Sequence, residues 1–254
     1  MLTSSRYVSS LKCNPLVCCN LLISLVLDDF FEQQEGTTSS PNKDYLLRDV
    51  VRASAAAPTY FEPERIRIAE DLDGAFVDGG VSPHNNPSLQ LLMLAALKRH
   101  GLNWPLGAED VMIVSLGTGT KPTVLSHEEV MKMPAAELGI RGLSSLMDDA
   151  AALNELMLQW ISTSPTARSI DSEIGDLADD ILGGGRPLIT YLRYNVEFDR
   201  AWLKDTLGLD FSEEQLDSFA QMDKAENMAE LIRLGKAASV LIDEAHFAPA
   251  FDIT

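Results

Sequence analysis

The stretch "AFVDGGVSPHNNP" (75–87) places one acid, Asp78, between a short apolar run and two glycines. The apolar run predicts a buried strand that ends at the acid. In an open parallel sheet, reacting groups collect at the carboxyl ends of strands, so Asp78 is a candidate catalytic acid. Gly79 and Gly80 would let a ligand or a second backbone approach closely. The alternative is that Asp78 only caps a turn, and these residues alone leave both interpretations open.

A helix and a second strand are predicted directly downstream. The segment 86–101 begins with Asn86 as a candidate cap. Its apolar residues occupy almost every face of the predicted helix, which indicates that the helix is buried. Asn85 and Asn86 are expected to hold the preceding loop through side-chain hydrogen bonds. The run "DVMIVSLGTGT" (110–120) predicts a central strand. Strand, helix and strand at this spacing predict a βαβ unit and therefore a parallel sheet.

Other periodic patterns predict the remaining elements. They comprise helices at 44–58 (capped by Asp44), 142–161 and 224–245, a strand at 187–198, and a capping box formed by Ser212 and Gln215. After residue 121 the predicted elements are mostly helices. We therefore expect a boundary near 122–140, between a domain at 1–125 and a mostly helical extension at 126–254.

The charge of the chain limits its partners. The 254 residues carry a formal net charge of −18, and residues 122–254 hold 24 acidic against 10 basic side chains. Such a field repels phosphate backbones, so we expect no nucleic-acid partner. It also disfavours electrostatic docking on anionic membranes. Any contact with lipid is expected to be apolar, local and at most transient.

The N-terminal segment is expected to belong to a protein of the cytoplasm. The apolar run "PLVCCNLLISLVL" (15–27) resembles a signal peptide in length, but no small-x-small cleavage site follows it. A buried strand explains the run as well, and it is too short for a transmembrane helix. Cys13, Cys18 and Cys19 have no nearby histidine, which predicts free thiols and no zinc site.

Three motifs that suggest ligands have simpler interpretations. The glycines of "SLGTGTKPT" (115–123) lack the spacing of a Walker phosphate loop and predict a turn after a strand. The segment "GGGR" (183–186) could form an anion-binding nest, but its glycines are equally explained by a loop between a helix and a strand. The acidic run 171–182 lacks EF-hand ligand spacing and predicts a solvated helix. We therefore expect no metal and no cofactor.

A serine nucleophile is not evident in the sequence. A Ser-His-Asp triad needs a serine on a strained G-x-S-x-G elbow, and the 254 residues contain no such motif. The nearest match is "GVSPH" (80–84), in which His84 replaces the last glycine. Its serine, Ser82, follows the acid on a proline-containing turn, so it is a poor candidate.

Several segments in this order resemble the second half of a patatin-like phospholipase domain. Three linked blocks carry the resemblance: "RASAAAPTYFEP" (52–63), "FVDGGVSPHNNP" (76–87) and "VSLGTGT" (114–120). The segments "YLRYN" (191–195) and "QMDKAENMAELIRLG" (221–235) look like the C-terminal region of bacterial members. The resemblance implies a three-layer α/β/α fold with a parallel sheet and an activity of lipid acyl-ester hydrolysis.

The resemblance also implies a mechanism and what this sequence lacks for it. The family uses a serine–aspartate dyad, in which the aspartate of an Asp-Gly-Gly/Ala motif activates the serine. Asp78 matches that aspartate, and Gly79, Gly80, Asn85 and Asn86 match its supporting motif. The serine elbow and the oxyanion loop of the family precede the region matched here, and this sequence contains neither.

Two classes of function are therefore expected. The first is a serine acyl hydrolase represented by an incomplete sequence, either a fragment of a longer gene or half of a complemented enzyme, inactive alone and acting on lipid acyl esters when completed. The second is a non-catalytic patatin-like binding or interaction protein. For the incomplete hydrolase, an uncovered strand edge and exposed apolar helix faces predict self-association or a complementing chain, whereas a soluble monomer would favour the non-catalytic class.

Overall fold

The structure is a computed structural model that describes residues 16–18, 45–69, 72–98, 102–121, 125–221 and 223–252. The chain divides into two compact units, each discontinuous in sequence. Unit 1 comprises residues 1–105 and 141–158, and unit 2 comprises residues 106–140 and 159–254. Both units contain parallel strand pairs and helices, which confirms the α/β class. The division into domains at 1–125 and 126–254 stays a prediction.

The sheet of unit 1 has the order β1-β3-β2, with β1 at Leu16–Cys18, β2 at Glu64–Ala69 and β3 at Leu72–Val77. Strand β1 runs parallel to β3, and β2 runs antiparallel to it. Phe76 and Val77 of β3 are buried, as expected for the central strand of a sheet. The strand predicted at the acid is therefore confirmed, and it begins earlier than its apolar run.

Helix α1, at Leu47–Ser54, covers the sheet of unit 1 with one face. Val50 and Ala53 are fully buried on that face. The helix predicted at 44–58 is confirmed but shorter. Its predicted cap, Asp44, lies outside the described residues.

Helix α2, at Ser88–Ala96, is confirmed as a helix, but the prediction that it is buried on all sides is wrong. Leu92 and Ala95 are buried, whereas Leu91 and Met93 are 41% and 45% exposed. Residues three and four positions apart share one helix face, so a single face packs inward. The apolar composition of the other face did not require a covering layer.

The sheet of unit 2 is entirely parallel and has the order β4-β6-β5. Strand β4 spans Met112–Leu116, β5 spans Ser162–Thr163 and β6 spans Ile189–Tyr194. Central strand β6 is almost wholly buried, with Tyr191 fully inaccessible. The strand predicted at 187–198 is thereby confirmed.

The predicted βαβ unit is wrong, because β3 and β4 lie in different sheets. Strand β4 pairs with β6, which comes much later in the chain, and it is an edge strand of the described sheet. Val114 and Leu116 are accordingly exposed, at 44% and 70%. Neighbouring elements in sequence often pair, but the pairing itself is decided by packing between distant segments.

Helices provide most of the remaining structure. Helix α3 spans His127–Lys132, α4 spans Ala135–Ile161, α5 spans Arg200–Leu207, α6 spans Glu213–Phe219 and α7 spans Met228–Ala238. The capping box of Ser212 and Gln215 is confirmed at the start of α6. The last three helices surround an apolar cluster of Phe198, Leu203, Phe211, Leu216, Phe219 and Leu234. The helix predicted at 224–245 is shorter, since short 3₁₀ turns replace it after Ala238.

The acidic run 171–182 forms turns, so the predicted solvated helix is wrong. Asp171 accepts hydrogen bonds from the backbone N–H groups of Glu173 and Ile174, at 2.7 and 2.9 Å. Short acidic side chains compete in this way with the helical hydrogen bonds of the backbone. The loop predicted at 183–186 is confirmed, and its three glycines all have positive φ.

None of the helices within the described ranges has both the length and the apolar character that a membrane crossing requires.

Candidate functional site

Asp78 directly follows β3, at the carboxyl end of the central strand of unit 1. Its backbone N–H donates to the carbonyl oxygen of Ala56 at 3.0 Å, which ties the strand end to the segment after α1. Its carboxylate Oδ1 accepts the N–H of Gly80 at 2.7 Å, and the side chain is partly buried. Asp78 therefore caps the 3₁₀ turn Gly79–Val81 from a strand end.

The two glycines after Asp78 allow the turn to close on the carboxylate. Gly79 is buried, and its carbonyl oxygen accepts the N–H of Ser82 at 3.0 Å. A Cβ atom added at Gly80 would lie 3.2 Å from Asp78 Oδ1, tighter than an ordinary contact. Glycine at this position keeps the carboxylate oxygen close to the backbone N–H that it accepts.

Ser82 and His84 form a compact hydrogen-bonded turn. Ser82 Oγ lies 2.7 Å from His84 Nδ1, accepts the backbone N–H of His84 at 3.2 Å, and donates to the carbonyl oxygen of Gly79 at 2.8 Å. With His84 protonated on Nδ1, the hydroxyl accepts twice and donates once, which uses its hydrogen-bonding capacity. The contacts are those of a capping serine.

Burial lowers the pKa of His84 below its ordinary value, because desolvation disfavours the charged imidazolium. The neutral imidazole is therefore the form that the fold favours near neutral pH. Its Nδ1 faces Ser82 and stabilises the turn that follows Asp78.

Asn86 is the buried polar anchor of the loop, with 4% exposure. Its Oδ1 accepts the hydroxyl of Ser88 at 2.7 Å and the backbone N–H of Ser88 at 3.3 Å, at the start of α2. Asn85 is exposed and ends the second 3₁₀ turn, Pro83–Asn85. The two neighbouring asparagines thus occupy different environments.

Asn154 of α4 completes the loop, and no sequence pattern pointed to it. Its side-chain Nδ2 donates to the carbonyl oxygens of Pro83 at 2.6 Å and Asn86 at 3.1 Å, and the residue is 5% exposed. The available signal was a polar residue among the apolar side chains of a long helix. A buried asparagine must find partners, but the pattern does not identify them.

The glycine loop after β4 is closed by the protein itself. Gly119 N–H donates to Asn195 Oδ1 at 3.0 Å, and Asn195 Nδ2 donates to Thr120 Oγ1 at 2.8 Å. The N–H groups of Gly117 and Thr120 donate to carbonyl oxygens of the β6 region. A phosphate-binding nest needs free N–H groups, so this loop is a turn, as predicted.

Side chains that commonly bind metals are not grouped together in the described part of the chain. Across those ranges no group of three or more His, Cys, Asp or Glu side chains could hold a metal ion. Cys18 ends β1, while Cys13, Cys19 and His100 lie outside the described residues. His246 Nδ1 contacts the Tyr194 hydroxyl at 3.0 Å, in unit 2.

Comparisons with known proteins identify relatives of this chain. The family model described as patatin-like phospholipase matches residues 20–92, a segment that contains β3 and Asp78. The chain is 28% identical over 124 residues to the "Probable inactive patatin-like protein 9" of Arabidopsis thaliana, covering 48% of this chain and 31% of that protein. It is 29% identical over 119 residues to the "Patatin-like protein 6" of the same plant, covering 43% and 24%.

These matches confirm the resemblance predicted from the three sequence blocks. The chain spans less than a third of the length of both curated relatives. The matched segment includes the Asp78 turn, which therefore stands inside the region of similarity.

Proposed function

We propose that this chain, whose residues 20–92 belong to a patatin-like phospholipase domain, acts in lipid acyl-ester hydrolysis with Asp78 as the general base. The position of Asp78 at a strand end carries the proposal. One oxygen, Oδ1, is fixed by Gly80 N–H. Among the described residues Oδ2 has no hydrogen-bond partner, so it can accept a proton from an incoming hydroxyl.

The nucleophile of the proposed reaction is a serine outside this sequence. A general base must lie within about 2.6–3.2 Å of the hydroxyl that it deprotonates. The 254 residues contain no G-x-S-x-G elbow, and the Ser82 hydroxyl is engaged within its own turn. The serine and the oxyanion loop would come from outside these 254 residues, either from a longer polypeptide of which they are part or from a complementing chain. An oxyanion donor lowers the barrier by about 3–4 kcal/mol, so the chain alone is expected to be inactive.

In the completed enzyme, Asp78 takes the serine proton as Oγ attacks the acyl carbonyl carbon. The C–O bond of the ester breaks, the acyl group stays on the serine, and the alcohol leaves with the proton that Asp78 returns. Water then attacks the acyl-serine carbonyl carbon as Asp78 accepts a proton from it. The bond between that carbon and serine Oγ breaks, the carboxylic acid is released, and Asp78 returns the proton to Oγ.

A non-catalytic function is the second candidate, and two observations favour it. One relative is named a probable inactive patatin-like protein. In addition, Asp78 already serves as a turn cap, a role that needs no chemistry. The same turn would then form a binding surface for a protein or lipid partner. For either function, we propose a cytoplasmic location, with no nucleic-acid partner.

The test is a complementation assay with a p-nitrophenyl ester and a serine-reactive fluorophosphonate probe. The chain is measured alone and mixed with a polypeptide carrying the oxyanion loop and the G-x-S-x-G elbow of a patatin-like phospholipase. We expect background turnover alone, and turnover with probe labelling of the added serine in the mixture.

Two variants decide between the candidates. Asp78→Asn keeps an oxygen acceptor for Gly80 N–H but removes the base, so it should abolish turnover in the mixture without unfolding the turn. Ser82→Ala should leave turnover unchanged. A stable complex of the two polypeptides that shows no turnover would support the non-catalytic function. Turnover by the chain alone that Ser82→Ala removes would identify Ser82 as the nucleophile and contradict the proposal.

A further inference from the structure

Strand β4 has one backbone edge that its pairing with β6 does not use. The carbonyl oxygen of Val111 accepts the N–H of Thr190 at 2.9 Å. At the other end of the strand, the N–H of Gly117 donates to the carbonyl oxygen of Tyr194 at 2.8 Å. Successive residues of a strand turn their N–H and C=O groups to opposite edges, so the odd-numbered residues of β4 face β6. The residues whose backbone groups point away from β6 are Met112, Val114 and Leu116.

This outer edge of β4 is open. Within the described ranges, the backbone groups of the three outward residues have no hydrogen-bond partner, and no strand other than β6 pairs with β4. Val114 and Leu116 are both exposed, so solvent reaches the edge. A row of unpaired N–H and C=O groups on an exposed strand is a template for a further strand.

The two faces of β4 differ in what covers them. Ile113 and Ser115 are buried on one face, where Ser115 Oγ accepts a hydrogen bond from Arg193 Nη1 at 2.9 Å. The side chains of Val114 and Leu116 point to the opposite face, because successive side chains of a strand alternate. The first face holds β4 in unit 2, and the second leaves apolar side chains exposed beside the open edge.

The cover on the second face ends at β6. Tyr194 lies in register with Leu116 and is buried, and its hydroxyl contacts Nδ1 of His246 at 3.0 Å in the 3₁₀ turn Glu244–His246. Leu116, one strand further out, is exposed. A strand added beside β4 would therefore continue the sheet and bring its own side chains against those of β4.

Strand β4 carries none of the features that keep strand edges from pairing. Its sequence, "MIVSL", contains no charged residue and no proline, and its register with β6 runs without a bulge. Edge strands of soluble proteins use charges, prolines and bulges to avoid other chains. The outer edge of β4 is therefore suited to pairing.

We propose that the outer edge of β4 pairs with the same edge of a second copy of this chain, antiparallel about a two-fold axis at Val114. In this register each outward N–H meets an outward carbonyl oxygen, and Met112 lies opposite Leu116 of the second copy. The facing side chains are all apolar, which favours contact across the strands. The interface uses no residue of the Asp78 turn, so it is independent of the proposed hydrolysis.

The charge of the chain gives this dimer a characteristic dependence on salt. Two copies that each carry a net charge of −18 repel each other, and salt screens that repulsion. The paired strands themselves are uncharged. We therefore expect association to tighten as the salt concentration rises, whereas the docking of a basic partner on this acidic chain would weaken.

Sedimentation velocity of the full chain, over a range of micromolar concentrations at low and high NaCl, measures the association. We expect a monomer–dimer equilibrium that shifts to dimer in high salt. Leu116→Lys places a charge in the interface, and Val114→Pro removes an outward N–H without removing a bond to β6. Each should weaken dimerisation about tenfold or more. The matched control is Met131→Lys, which adds the same charge at an equally exposed position of α3 and should leave dimerisation unchanged.

Amide hydrogen exchange of the ¹⁵N-labelled wild-type chain keeps the test valid if a variant fails to fold. The outward amides of Met112, Val114 and Leu116 should become protected as the protein concentration rises. The amides of Ile113 and Ser115 face β6 and should be protected at every concentration.

Three results would overturn the inference. The first is a monomer at all concentrations and salt conditions. The second is a dimer in which the outward amides of β4 stay unprotected, since another surface would then hold the copies together. The third is protection of these amides only when the polypeptide of the complementation assay is added, which would assign the edge to that polypeptide.

Discussion

The turn after β3 and the loop after β4 both follow a strand end and both contain glycines, yet they are held in different ways. In the Asp78 turn, the carboxylate bonds an N–H two residues away, and Ser82 bonds its own neighbours. In the β4 loop, Asn195 reaches from a strand end far along the chain to bond Gly119 and Thr120. The first turn is built mainly from local contacts, and the second depends on the pairing of β4 with β6.

This difference explains why one strand end is a candidate reactive site and the other is not. Local capping of the Asp78 turn uses one carboxylate oxygen and leaves the other without a partner in the described structure. The distant asparagine fills the β4 loop and occupies its backbone donors. A glycine-rich strand end is therefore a site only where the fold does not close it with its own side chains.

The largest expected effect comes from adding a methyl group at one glycine of each segment. In Gly117→Ala the new Cβ would collide with Asn195 Oδ1, so we expect a loss of about 2–3 kcal/mol in the free energy of unfolding. In Gly80→Ala the Cβ would meet Asp78 Oδ1 at 3.2 Å, which costs about 0.5 kcal/mol. Urea denaturation of both variants measures the contrast.

A double variant separates the collision from other effects at Gly117. Asn195→Ala removes the colliding side chain, so adding Gly117→Ala to it should cost far less than in the wild-type background. Equal costs in both backgrounds would show that Asn195 does not close the loop.

Asn154→Ala tests the contacts between the Asp78 turn and helix α4. The substitution leaves the carbonyl oxygens of Pro83 and Asn86 without this donor, and we expect a loss of about 1–3 kcal/mol in the free energy of unfolding. The adjacent Leu153 is 59% exposed, so Leu153→Ala should change stability by less than about 0.5 kcal/mol. If both variants unfold at the same urea concentration, the Asn154 contacts do not stabilise the turn.

Ser82→Ala tests the local contacts of the same turn. The side chain caps the second 3₁₀ turn, and removing a serine cap typically costs about 1 kcal/mol. Chemical denaturation should show that loss, while the Asp78-dependent activity of the complementation assay stays intact. A loss of 3 kcal/mol or more on the same scale would indicate that Ser82 has a distant role that the local geometry does not show.

The smallest effect is a dependence of stability on pH through His84. Because burial lowers the pKa of the folded state, the unfolded chain binds the proton first as pH falls through about 6.5. The contribution of His84 to stability is therefore present above that pH and is lost as pH falls through the lower folded pKa. His84→Asn should flatten the decrease in unfolding free energy between pH 7.5 and 5.5. A slope that is the same in wild type and His84→Asn would show that the histidine is not protonated differently in the folded and unfolded states.

The sequence by itself determined the features that depend on neighbouring residues. The strand that ends at Asp78, the helix after it, the capping box of α6 and the turn at 183–186 all follow from short patterns. Such patterns act through local backbone preferences and hydrogen bonds a few residues apart. The three sequence blocks also identified the patatin-like resemblance, because their order and spacing can be read directly.

The tertiary structure alone decided the contacts between distant segments. The separation of β3 and β4 into two sheets, the exposed face of α2, and the contacts of Asn154 and Arg193 all depend on which segments pack together. Hydrophobic periodicity states that a face is apolar, but burial is not directional and does not name the partner. The local turns of 171–182 show the same limit at short range, since acidic side chains that bond backbone N–H groups replaced a helix that periodicity favoured.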